Sequence, residues 1–134
     1  MRRVFAGRRD HGWTLIEMMI VVSLILILVS IALPVYNRAI LRSKESVLKQ
    51  DLFTLRQVID QYTLDKKKAP QALDDIVTAG YLKVVPKDPF TNEANWTLVQ
   101  EDPTEAADQQ EPGIVDVHSA SELAATDGTT YSSW

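Results

Sequence analysis

The sequence predicts an α+β protein. One long N-terminal helix, transmembrane in its first half and amphipathic in its second, packs on a small C-terminal domain with a short antiparallel sheet. Three observations carry this reading. Trp13 to Val35 is 23 residues with a single charge, Glu17. An apolar stripe then runs through Leu41, Leu48, Leu52, Leu55, Ile59 and Tyr62, at steps of 7, 4, 3, 4 and 3, the spacing of one helix face. Past Lys66-Lys67-Lys68 the pattern breaks into short apolar runs separated by Pro and Gly.

The apolar segment comes first. At about 1.5 Å per residue it reaches about 34 Å, enough for a bilayer core of roughly 30 Å. Pro34 falls inside the helical run, where a proline removes a hydrogen bond, so the sequence predicts a helix from about 13 to about 66 with a bend or melted turn near Pro34. The stripe of the second half calls for a small domain to cover it, or a coiled coil between two anchored chains. The three lysines suit a helix C-terminus. Leu73, Ile76 and Val77 have helical spacing, with Gly80 as a cap. Tyr81 to Pro86 reads as short and extended, and Lys87-Asp88 between two prolines as a turn. Trp96 to Val99 and Ile114 to His118 are strand candidates, and Tyr131 to Trp134 is a third strand or an aromatic plug. Glu101 to Pro112 reads as an exposed acidic loop.

Charge is unevenly spread. The first twelve residues hold four arginines against Asp10, whereas residues 88–134 hold ten Asp/Glu and no Lys or Arg. Such an acidic third argues against nucleic-acid binding and suits a solvated face or a hard cation. With no cysteine, disulfides, thiolate catalysis and Cys-based metal sites are excluded.

A basic start before an apolar run resembles a secretory signal, but this run is too long and no A-x-A-like cleavage site follows it. A plain signal anchor, its leader in the cytoplasm, is the simpler account. Glu17 does not fit that account, because a carboxylate at the edge of a span needs a partner. Cleavage between Gly12 and Trp13 creates an amine four residues away, which in a bundle of parallel helices can meet Glu17 of a neighbour.

Gly12 followed by Trp-Thr-Leu-Ile-Glu-Met-Met-Ile-Val-Val resembles the processing signal of type IV pilins and type II secretion pseudopilins. The stretch Gly80-Tyr81-Leu82 through Pro86-Lys87-Asp88-Pro89-Phe90, with the closing Asp116-Val117-His118-Ser119 and Ser133-Trp134, is similar to the major, G-type pseudopilin. The resemblance implies that a prepilin peptidase removes the leader 1–12, that Trp13 (where the family has Phe) is N-methylated, and that Glu17 is the assembly carboxylate. It implies a homopolymer at the bacterial inner membrane, meeting other pseudopilins and inner-membrane assembly proteins. The parts are then a span over 13–35 including Pro34, an amphipathic helix over 36–68, and a periplasmic region over 69–134. It also implies a Ca²⁺-binding C-terminal loop, with Ser119, Glu122, Asp127 and Thr130 as ligands and backbone and water completing the shell.

Nothing points to an enzyme. His11 lies in the leader. Asp116, His118 and Ser119 are too close along a strand to converge, and phosphate loops, H-E-x-x-H and paired-Cys motifs are absent. Two other readings remain open: a type IV pilin of a surface fibre, and a monomeric membrane-anchored binding domain.

Overall fold

A computed structural model describes residues 12–101 and 112–134. The basic leader through His11, and 102–111 of the acidic stretch, lie outside the described residues. The chain divides into two units, Met1–Arg38 and Ala39–Trp134. Helix α1 (Leu15–Lys66) contributes to both.

In the first unit, Thr14 starts α1. Its Oγ1 accepts the Glu17 N–H at 3.2 Å, supplying one of the partners that a helix N-terminus lacks. The T-x-x-E spacing is the one that marks helix starts. The most apolar 18-residue window of α1 has none of its residues buried. Its two serines turn inward on the helix itself: Ser23 Oγ donates to Met19 O and Ser30 Oγ to Ile27 O, both at 2.7 Å. A helix that hides its hydroxyls and shows apolar side chains all round suits a lipid or helix-packed setting. The melted turn expected near Pro34 is not present, and the backbone stays helical through it. Proline's φ fits a helix, and helix on both sides outweighs the one lost hydrogen bond.

In the second unit, Leu48, Leu52, Leu55, Ile59 and Tyr62 are buried as the stripe demands, joined by Val58. They form one core with Ile76, Trp96, Ile114, Val117, Ala125 and Tyr131. From Leu48 to Tyr62 the stripe is covered by its own chain, the first of the two covers the sequence allowed. A fully buried aliphatic side chain contributes about 1.5–3 kcal/mol, so these positions dominate the stability of a small unit. Lys66 closes α1, and Lys67 at φ +59° turns the chain away.

Helix α2 (Leu73–Thr78) begins where Asp75 Oδ2 accepts the N–H groups of Gln71 and Ala72 at 3.0 and 2.9 Å. It ends at Gly80, φ +84°. There Gly80 N–H reaches Val77 O and Tyr81 N–H reaches Ile76 O, a double closure that favours glycine. Tyr81 to Pro86 stays irregular rather than forming a strand. Strands β1 (Thr97–Gln100) and β2 (Ile114–His118) pair antiparallel with Leu98 opposite Val117, and a bulge falls between Val99 and Gln100. At the far end of the pair, Ile114 N–H donates to Pro70 O at 2.7 Å. Gly113 is needed just beside it, because a Cβ there would sit 2.5 Å from that of Ala69. Of the two readings of the closing residues, the aromatic plug holds and the third strand does not: Tyr131–Ser133 is a 3-10 helix with Tyr131 in the core. Tyr131 anchors it by stacking on Phe90 at 3.9 Å.

Candidate processing and assembly site

Gly12 and Trp13 are both exposed. A Cβ on Gly12 would meet nothing within 4 Å, so no packing among the described residues calls for glycine there. Two residues on, Thr14 fixes the first turn of α1 and sets Glu17 in it. A carboxylate in a first turn is favoured by the helix dipole. Glu17 is exposed and makes no ion pair with another described residue. The helix presents Leu15, Ile16 and Met19 beside it, each more than half exposed. Chemically this is an accessible peptide bond, a carboxylate four residues past Trp13 with no ion pair among the described residues, and an uncovered apolar surface. The Thr14 cap escaped the sequence reading, although its T-x-x-E spacing was there to be read.

The four residues offered for Ca²⁺ lie in or beside the C-terminal loop, 119–131. Ser119 is fully buried. Its Oγ donates to Asp88 Oδ2 and accepts from Ser121 N–H at 3.0 Å. Asp127 Oδ1 accepts Thr129 N–H at 3.0 Å and Thr129 Oγ at 2.6 Å, and these bonds hold its carboxyl below the ordinary range. The Thr130 carbonyl accepts from Ser133 N–H and Oγ. Glu122 is exposed. Among the described residues no three Asp, Glu or His side chains converge as a metal would require. Ca²⁺ takes six to eight oxygens, usually led by several carboxylates, so this donor set fits it poorly.

What holds the loop is a buried carboxylate that interrupts the apolar stripe. Glu45 is buried on α1, four residues after Leu41 and three before Leu48, inside the apolar stripe. Its Oε1 accepts the Thr126 N–H at 2.8 Å and the Tyr131 hydroxyl at 3.0 Å, and its Oε2 accepts Thr126 Oγ1 at 2.6 Å. Burial alone would raise this carboxyl, but the bonds from Thr126 and Tyr131 outweigh it and hold the group below its ordinary value. Tyr131 is pushed up to about 12 by burial and by the Glu45 bond and charge.

Asp88, expected in a simple turn, is fully buried. It accepts Phe90 N–H at 2.7 Å besides the Ser119 hydroxyl. Arg56 bridges α1 to the chain's closing residues, with Asp116 Oδ1 at 2.6 Å and the carbonyls of Val117 and Trp134 at 3.0 and 2.6 Å. Asp116 is raised by burial, and the Arg56 and Val117 bonds with the Arg56 and His118 charges bring it below the ordinary range. His118 Nε2 lies 3.5 Å from Asp116 Oδ2. Since Ser119 turns to Asp88 instead, Asp116, His118 and Ser119 form no relay.

The prokaryotic N-terminal methylation motif family matches residues 7–33. The type II secretion system core protein G of Vibrio cholerae is 33% identical over 108 residues, covering 66% of this chain and 71% of that protein. Its Escherichia coli counterpart is 31% identical, covering 66% and 72%. The type IV major fimbrial protein FimA of Dichelobacter nodosus is 45% identical over 62 residues, but these cover 46% of this chain and 39% of FimA. No solved structure matches significantly. An exposed Gly12–Trp13 bond, a capped apolar helix carrying Glu17, and a likeness that continues through most of the chain converge on one family: this chain belongs to that of the type II secretion system core protein G.

Proposed function

We propose that the chain is a major pseudopilin, the repeating structural subunit of a periplasmic pilus-like filament in type II protein secretion. The observation that carries this is the first half of α1, apolar and uncovered, with Glu17 four residues past Trp13 and without an ion-pair partner among the described residues. In this reading the subunit waits in the inner membrane as a single span with its C-terminal unit in the periplasm. Prepilin peptidase cuts after Gly12 on the cytoplasmic side and Trp13 is methylated. The helix then leaves lipid for a bundle of like helices, where the new amine of one subunit meets Glu17 of the next. Other pseudopilins and inner-membrane assembly proteins share the filament, and the role is structural rather than catalytic.

Intact-mass measurement of the protein from its native membrane tests this. Loss of residues 1–12 with a single methyl on Trp13 is expected, and a full-length mass overturns it. The likeness to FimA favours a second reading, a surface fibre. A deletion strain separates the two: lost export supports the pseudopilus, lost surface fibres the pilin.

A further inference from the structure

We propose that Glu45 closes the C-terminal loop from within, in the place the family resemblance gives to calcium, so that the loop is ordered without metal. A cation staples a loop by gathering oxygens from distant parts of a chain. Here a carboxylate does the gathering from the opposite side, as an acceptor for donors. Glu45 comes from α1, and its partners Thr126 and Tyr131 lie 81 and 86 residues further on. Three hydrogen bonds to one buried carboxylate make a charge-assisted set, each bond stronger than a neutral one.

The remainder of the loop leaves no slack for a cation to take up. Leu123 O accepts Tyr131 N–H at 3.1 Å, Thr129 O accepts Ala125 N–H at 2.7 Å, and Ala124 bridges Thr130. Gly128, at φ +88°, makes the tight reversal between them. Of the oxygens a metal would recruit, the Ser119 hydroxyl is already both donor and acceptor in a buried position, and one Asp127 oxygen already serves Thr129. Calcium would have to compete with these bonds at Ser119 and share the Asp127 carboxylate with Thr129. The proposal holds for a secretion filament and a surface fibre alike.

The test is calorimetric melting of the full chain in detergent, with excess calcium or with chelator. Wild type is expected to melt at one midpoint in both. Glu45→Gln keeps the size but places an amide NH2 against donors, and is expected to lower the midpoint by roughly 10 °C in both conditions. Thr126→Ala removes one hydroxyl and keeps the Thr126 N–H bond, so it lowers the midpoint less and carries the same expectation should the Gln variant not fold. The double variant should melt close to Glu45→Gln alone, since the groups act as one unit. A chelator-induced drop in the wild type that calcium reverses overturns the proposal, as does a Thr126→Ala variant that melts with wild type.

Discussion

Single side chains decide where this molecule is held. Arg56 and Asp116 are each more than a third exposed, so solvent screens their attraction and the ion pair itself contributes modestly. Arg56 also satisfies two carbonyls that Asp116 does not touch. Arg56→Ala should therefore cost about 2–3 kcal/mol in denaturant unfolding and Asp116→Asn about 1 kcal/mol. At Glu45 and Asp116 the folded state lowers the carboxyl affinity for protons. Each contributes stability that is complete above the unfolded value, about 4, and is lost as pH falls through the lower folded value. The melting temperature should accordingly hold near neutrality and fall below about pH 4, with Glu45→Gln flattening that fall. Tyr131 works at the other edge: raised to about 12, it contributes stability present below about pH 10 and lost as pH climbs through its folded value. Glu17→Leu should leave cleavage after Gly12 intact and abolish filaments in electron micrographs. Filaments unchanged by that substitution would leave the carboxylate without a role.

Among the elements, α1 was the most legible. Period alone picks out Leu48, Leu52, Leu55, Ile59 and Tyr62, because a helix face repeats whatever covers it. Leu52→Ala should cost about 2–5 kcal/mol, read as a shifted denaturant midpoint. The strands were legible too, β1 from the alternation of Trp96 to Val99 and β2 as a short β-branched run between loop residues. Glu45 was not. The step of seven from Leu41 to Leu48 skips it, and a lone carboxylate in a stripe reads as a gap until the donors 81 residues away are known. Asp88 was hidden for the same reason: flanking prolines announce a turn, and burial of its carboxylate depends on Ser119. The closing residues left a strand and an aromatic plug both open, because aromatics suit either. Tyr131 stacks on Phe90, and the backbone from Tyr131 to Ser133 is a 3-10 helix.

Across the whole molecule, burial respects the division into two units. Among the described residues the buried ones begin at Glu45, inside the second unit, Ala39–Trp134. A chain reduced to residues 39–134 should therefore be soluble without detergent and unfold with the same midpoint as the full chain. The tryptophans divide along similar lines. Trp13 is 67% exposed at the start of the span. Trp96 is buried with its Nε1 donating to Pro86 O at 2.9 Å. Trp134 has Lys49 4.2 Å above its ring and its Nε1 on Thr129 Oγ1. Three indoles in three unlike surroundings make the protein its own optical probe. Trp13 emission should shift to shorter wavelength when lipid or packed helices cover it, Trp96 emission should report the core, and Trp134 emission should change when the C-terminal loop lets go. Single-tryptophan variants would then let processing, assembly and loop opening be followed separately in one unlabelled chain.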